Sequence, residues 1–155
     1  MKRLLFGQIT GIADGTHLAR TRFHSSRWSP LHTHDFYEVF LVLNGPLEYE
    51  INHASEILHL RSLIFVTPSD LHRFRCLQRN KNATIVNIAF SPDLLQTALG
   101  FLGQTSVLKA TELRHFTLRG LSNKDWKMIL EILGHTGEWS TDKIPVSIRI
   151  KSFLT

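Results

Sequence analysis

The chain has 155 residues, 43% of them hydrophobic, a formal net charge of +5 and one cysteine. That is enough for one domain with a real core, and no apolar run approaches the roughly 20 residues of a membrane span. The single Cys76 excludes an intramolecular disulfide framework and fits a reducing compartment, so the expected location is the cytoplasm.

The charge is diffuse: residues 1–90 hold 10 Lys+Arg against 7 Asp+Glu, and residues 91–155 hold 8 against 6. A spread of this kind is weak evidence for nucleic acid. Arg73, Arg75, Arg79 and Lys81 form the one local concentration. Arg73 and Arg75 alternate with Phe74 and Cys76, which reads as a solvated outer strand face rather than a phosphate patch. The opening Met1-Lys2-Arg3-Leu4-Leu5-Phe6-Gly7 lacks the long apolar region and small-residue cleavage site of a signal peptide.

In chain order, residues 3–9 read as an edge strand or arm and Asp14-Gly15 as a turn. Residues 17–24 alternate, Leu18, Arg20 and Arg22 against His17, Ala19, Thr21 and Phe23, as a half-buried strand does. A loop from Ser25 to Pro30 leads into the most informative stretch, Leu31 to Gly45. On a continuous strand His32, His34 and Glu38 share one face. Two imidazoles and a carboxylate there are a donor set typical of divalent transition metals, of which zinc, nickel, iron and manganese suit it. After Glu38 apolar residues take both faces, Val39 and Leu41 opposite Phe40 and Val42, as in an interior strand. Asn44-Gly45 is expected to turn the chain, since both tolerate the positive φ of tight hairpins.

Residues 46–52 alternate again, Asn52-His53-Ala54-Ser55 is a second turn, and short strands follow over 56–60 and 62–67. Pro68-Ser69-Asp70 is a turn, residues 72–78 alternate, Asn80-Lys81-Asn82 is a turn, and 83–90 reads as a buried strand. Short strands separated by regular turn signals predict a sandwich or barrel. The period changes at Ser91-Pro92-Asp93, a helix start. Leu94, Leu95, Ala98 and Leu102 follow helical spacing, with Gly100 or Gly103 placed to end it. Residues 104–121 are irregular. Ser122-x-x-Asp125 is a variant capping box, opening a stripe of Trp126, Ile129, Leu130 and Leu133 that Gly134 closes. Residues 144–154 fit a strand or a helix. The stop at Phe153-Leu154-Thr155, without a polar tail, is expected of a cut through a longer protein.

His32-x-His34, Glu38 four residues after His34, Gly45 seven after Glu38, and His72 behind the strand 62–67 resemble the two motifs of the cupin superfamily. By that resemblance His32, His34, Glu38 and His72 would be the four metal-ligand positions. The chain departs from the pattern elsewhere: Ser26 stands where the family has its first glycine, and Arg61, Thr67 and Ser69 replace the second motif's Gly, Pro and Gly. The larger order is a run of strands, then Phe90-Ser91-Pro92-Asp93-Leu94-Leu95, then amphipathic helices. It resembles the N-terminal sensor half of AraC-type bacterial transcription regulators over residues 17–135, and within them the branch that regulates chitooligosaccharide use.

The resemblance implies a mainly β fold, a cupin-like jelly-roll barrel over residues 1–90 that binds a small, sugar-like effector. It implies a helical appendage over 91–155 for homodimerisation, and DNA binding through a separate C-terminal helix-turn-helix domain not contained in these residues. Phe36, Phe40, Tyr49 and Phe74 are the candidate effector contacts, core packing being the other reading of each. His17, His24, His53, His59, His115 and His135 have no partner spacing and receive no role. The rival class is a stand-alone metal-dependent cupin enzyme, a dioxygenase or isomerase; the amphipathic tail argues against it and no catalytic residue is expected.

Overall fold

The structure, a computed structural model, describes residues 2–9, 16–24, 26–77, 82–101 and 113–133. Its strands are β1 (Lys2–Leu4), β2 (Thr16–Phe23), β3 (His32–His34), β4 (Tyr37–Asn44), β5 (Leu47–Ile51), β6 (Ala54–Leu58), β7 (Leu63–Val66), β8 (His72–Cys76), β9 (Ala83–Phe90) and β10 (Phe116–Leu118). Its helices are α1 (Phe6–Ile9), α2 (Pro92–Phe101) and α3 (Asn123–Ile132). The strands form two five-stranded sheets, ordered β1-β3-β8-β5-β6 and β10-β7-β4-β9-β2. Among the described residues no helix is long and apolar enough to cross a membrane.

The apolar residues of both parities in β4 explain how the layers stack. Phe40 and Val42 point between the sheets into an inner core with Leu47, Tyr49, Leu58 and Ile64. Tyr37, Val39 and Leu41 point outward into a second core with Leu95 of α2 and Ile129 of α3. A strand covered on both faces must be apolar on both. The fold is thus a cupin-like double-stranded β-helix with helices packed on one outer face.

Both helix starts form as the sequence indicates. Ser91 Oγ accepts from Leu94 N at 3.2 Å. Ser122 Oγ accepts from Asp125 N at 3.1 Å and donates to Asp125 Oδ2 at 2.6 Å. Gly100 lies within α2 and does not end it, while Leu102, Gly103 and Gly134 lie outside the described residues, as do Asp14-Gly15, Asn80-Lys81, Arg79 and the ambiguous 144–154. Arg73 pairs with Glu50 at 2.7 Å and Arg75 with Glu48 at 2.6 Å, and both guanidinium groups lie over the Trp28 ring. These two arginines are neutralised on the outer face. Cys76 packs in the inner core.

Several local expectations are corrected. The strand over residues 3–9 stops at Leu4, and one helical turn follows with Gln8 N donating to Leu5 O at 2.9 Å. Asn44-Gly45 is not a hairpin: β4 and β5 belong to different sheets, neither residue takes a positive φ, and Gly45-Pro46 is cis. Gly45 is needed for closeness instead, since a Cβ there would meet Leu58 O and Leu47 N at 3.3 Å. Ala54 and Ser55 already belong to β6, so the turn before it is only Asn52-His53, at φ 47 and 69. Within the irregular 104–121 lies β10, which pairs with β7 and stacks Phe116 on Phe65 at 5.2 Å; three residues are too few to show a period.

Candidate functional site

His32 and His34 sit on β3, Glu38 on β4 and His72 on β8. The first three do not lie on one continuous strand. The chain breaks at Asp35-Phe36 and passes from one sheet to the other, because β3 pairs with β8 while β4 pairs with β7 and β9. Two bonds hold the break. Asp35 Oδ1 accepts from Phe6 N at 2.7 Å, and His34 Nδ1 donates to Phe36 O at 2.7 Å. His34 and Glu38 therefore face each other across the two sheets, not along one strand face.

His72 reaches the same place through the turn before it. Pro68 and Ser69 occupy the centre of a tight turn, Ser69 at φ 75, with Asp70 N donating to Thr67 O at 3.2 Å. Ser69 and Arg61 (φ 68) stand where the cupin pattern has glycine, and both keep the left-handed backbone that glycine would supply. Ser69 N donates to His34 O at 3.1 Å, and His32 pairs with His72 in register.

The outcome is a compact donor set. One ligand atom each from His34, Glu38 and His72 lie within 4.8 Å of one another, all three residues buried. His34 Nε2 is 3.6 Å and His72 Nε2 3.7 Å from Glu38 Oε2. Ligand bonds of about 2.0–2.2 Å in a tetrahedral arrangement put neighbouring donor atoms roughly 3.3–3.6 Å apart. His34 Nε2, His72 Nε2 and Glu38 Oε2 have no hydrogen-bond partner among the described residues, which buried polar atoms normally have. The far sides of His34 and Glu38 are supplied, while His72 Nδ1 is buried without a partner among the described residues. The bond to Phe36 O puts the His34 proton on Nδ1 and leaves the Nε2 lone pair facing inward, and Glu38 Oε1 accepts from Asn87 Nδ2. Outer partners of this kind orient metal ligands.

Burial lowers the His34 pKa to about 4, against the bond to Phe36 O that alone would raise it. Burial also holds His72 well below the ordinary histidine range, helped by the nearby His32 and His34. Both imidazoles are neutral at physiological pH, the state in which they ligate. Burial pushes Glu38 up to about 7, opposed by the bond from Asn87. Two borderline imidazole nitrogens and one hard carboxylate oxygen, converging on one point, fit a divalent transition ion. His32 stands beside this set rather than in it: its ring lies 4.4 Å from that of His72, and its Nδ1 is 2.9 Å from Pro30 O.

A cavity of about 260 Å³ opens beside the set, between the sheets, with Glu38 and His32 in its wall. Phe36 and Phe74 line it, and Phe36 stacks on His34 at 4.3 Å. Phe40 and Tyr49 do not line it; they sit behind in the inner core, where Tyr49 stacks on Phe74 at 4.9 Å. Among the lining residues to which sequence reasoning gave no role are His17 and Asn87. The alternation of β2 places His17 on the same face as Phe23, and that of β9 places Asn87 among Ile85 and Ala89. A polar residue inside an apolar run was the available signal for Asn87. His115, also given no role, lies 3.1 Å from Asp70 Oδ1.

The family model for AraC-like ligand-binding domains matches residues 15–124. A ToxT variant from Vibrio cholerae aligns with a TM-score of 0.63 at 10% identity, over 90% of this chain and 54% of that one. ToxT from the same organism with an unsaturated fatty acid bound aligns at 0.60 and 10% identity, over 90% and 51%. A cupin 2 domain-containing protein from Halorhodospira halophila aligns at 0.47 and 17% identity, over 50% and 53%. The chain spans about half the length of ToxT, and at these identities the likeness is one of fold. Curated proteins give no match. With the family model matched from the second strand to the start of α3, the chain belongs to the AraC-like ligand-binding domains.

Proposed function

We propose that the chain is the effector-sensing part of an AraC-type transcription regulator, taking a small sugar-like molecule in the barrel cavity beside a divalent transition metal. The observation that carries this reading is the convergence of three buried, unpartnered donor atoms, one of them on Glu38 in the wall of an otherwise mostly apolar cavity. His34, Glu38 and His72 would hold the ion, zinc, nickel, iron or manganese, and His32, which stands beside them with its ring 4.4 Å from that of His72, would have to turn inward to serve as the fourth ligand. Such an ion would supply a Lewis-acid centre able to polarise an effector oxygen. Phe36 and Phe74 offer ring faces to a sugar, and Phe40 and Tyr49 back them.

Family membership favours sensing over the dioxygenase or isomerase alternative. The helices after the barrel are the proposed self-association surface, with Phe101 80% and Met128 49% exposed on them. DNA recognition would reside in sequence outside these residues, and the setting is the cytoplasm. The test is calorimetric titration of the zinc-loaded chain with glucose, N-acetylglucosamine and oleate. One neutral sugar should bind with unit stoichiometry and lose affinity in Phe74→Ala. Binding of oleate alone would contradict the reading.

A further inference from the structure

The donor set accounts for the unpartnered atoms of His34 Nε2, His72 Nε2 and Glu38 Oε2, but not for Asn87 Oδ1, which is also buried without a partner among the described residues. Asn87 has two ends with different surroundings. Its Nδ2 donates to Glu38 Oε1, and its residue lines the cavity. The register around it shows why the cavity exists. Across β4, β9 and β2 one row runs Glu38, Ala89, His17, and the next runs Phe40, Asn87, Ala19. At roughly 4.8 Å per strand, each row spans about 10 Å from β4 to β2. Ala89 leaves a gap between Glu38 and His17, and Ala19 leaves one beside Asn87; all but Phe40 line the cavity.

The chemistry of the wall narrows what enters. None of the described lining residues is Lys or Arg, so a carboxylate or phosphate finds no counter-charge on this side. The unpartnered oxygen of Asn87 calls for an O–H or N–H donor. At about 260 Å³, the space falls below the roughly 300–1,000 Å³ of drug-sized sites and suits one ring rather than a chain of rings.

We propose that Asn87 and His17 are the effector-reading residues of this cavity. They flank the gap held open by Ala89 and Ala19, and they select a single-ring, uncharged molecule that donates a hydrogen bond to Asn87 Oδ1. The proposal rests on the reading of the cavity as the effector site. Asn87 thereby touches the entering molecule with one end and holds Glu38 with the other.

The experiment uses the zinc-loaded chain with glucose and N-acetylglucosamine as probes, by thermal shift and calorimetry, and Co²⁺ absorption as a separate readout of the donor set. Wild type should bind at least one probe. Ala89→Leu should weaken it by tenfold or more and His17→Ala by several-fold, both with the Co²⁺ spectrum unchanged. Asn87→Ala should weaken the sugar and also lower Co²⁺ affinity, because Glu38 loses its outer partner. Should Ala89→Leu fail to fold, Ala19→Val narrows the same gap from the edge strand. If wild type binds a sugar and these variants bind it equally, the assignment of Asn87 and His17 is overturned while the effector site stands. If wild type binds neither sugar, both are overturned.

Discussion

Two carboxylates lie buried within the same barrel, Glu38 at 6% and Asp70 at 8% exposure, and they are treated oppositely. Asp70 is saturated. Its Oδ2 accepts from Thr67 N at 2.8 Å and Thr67 Oγ1 at 2.6 Å, and its Oδ1 from Asn52 Nδ2 at 2.7 Å and His115 Nδ1 at 3.1 Å. Burial alone would raise its pKa, but these bonds outweigh it and hold the group below the ordinary range. Glu38 keeps one oxygen bonded and one unpartnered, and burial pushes it to about 7. Burial therefore does not separate structure from function here; satisfaction does. Asp70 ties Asn52 and His115 to the turn that presents His72, and Glu38 faces the imidazoles with an oxygen that has no hydrogen-bond partner among the described residues.

The largest expected effect breaks the Glu38 side. The double variant His34→Ala/His72→Ala removes two of three converging donors and should abolish metal uptake in elemental analysis, with the far-ultraviolet sheet signal retained. On the other side, Asp70→Ala leaves four donors without an acceptor. It should cost about 2–4 kcal/mol in urea unfolding, and a loss below 1 kcal/mol would remove the distinction drawn between the two sites.

The two groups also respond to pH with opposite sign. The folded-state pKa of Glu38 is raised from 4.5 to about 7, so the folded form holds its proton longer than the unfolded chain. Metal-stripped protein should lose stability through this group as pH rises from about 5 to 8. Glu38→Gln should remove that slope and stabilise the stripped protein by about 1–3 kcal/mol at pH 8. Asp70 is depressed, so its contribution is full above the ordinary aspartate range and fades as pH falls through its lower folded value. The stability gap between wild type and Asp70→Ala should shrink in acid. The smallest effect is His115→Ala, which removes one half-exposed partner of Asp70 and should cost about 0.5–1 kcal/mol.

Much of this was legible in the chain itself. The period-2 runs, the change of period at Ser91 and the serine caps state the order of strands and helices, since each depends on neighbours three or four residues away. The metal-type residues were legible as types and spacing. Their convergence was not legible for the reason first given: parity along one strand fails at Asp35-Phe36, and the contact comes from a sheet-to-sheet crossing that no local pattern encodes. Arg61 and Ser69 look like losses of required glycines, yet the backbone there is left-handed all the same. The cavity was the least visible part, because Ala89, Ala19, Asn87 and His17 acquire meaning only through register across three strands.

The most direct test of the central claim is metal stoichiometry of the purified chain after zinc loading and desalting, measured beside His34→Ala/His72→Ala treated identically. The account predicts about one equivalent in wild type and background in the variant. Equal metal in both, or none in a folded wild type, would show that the three unpartnered donor atoms do not form a metal site.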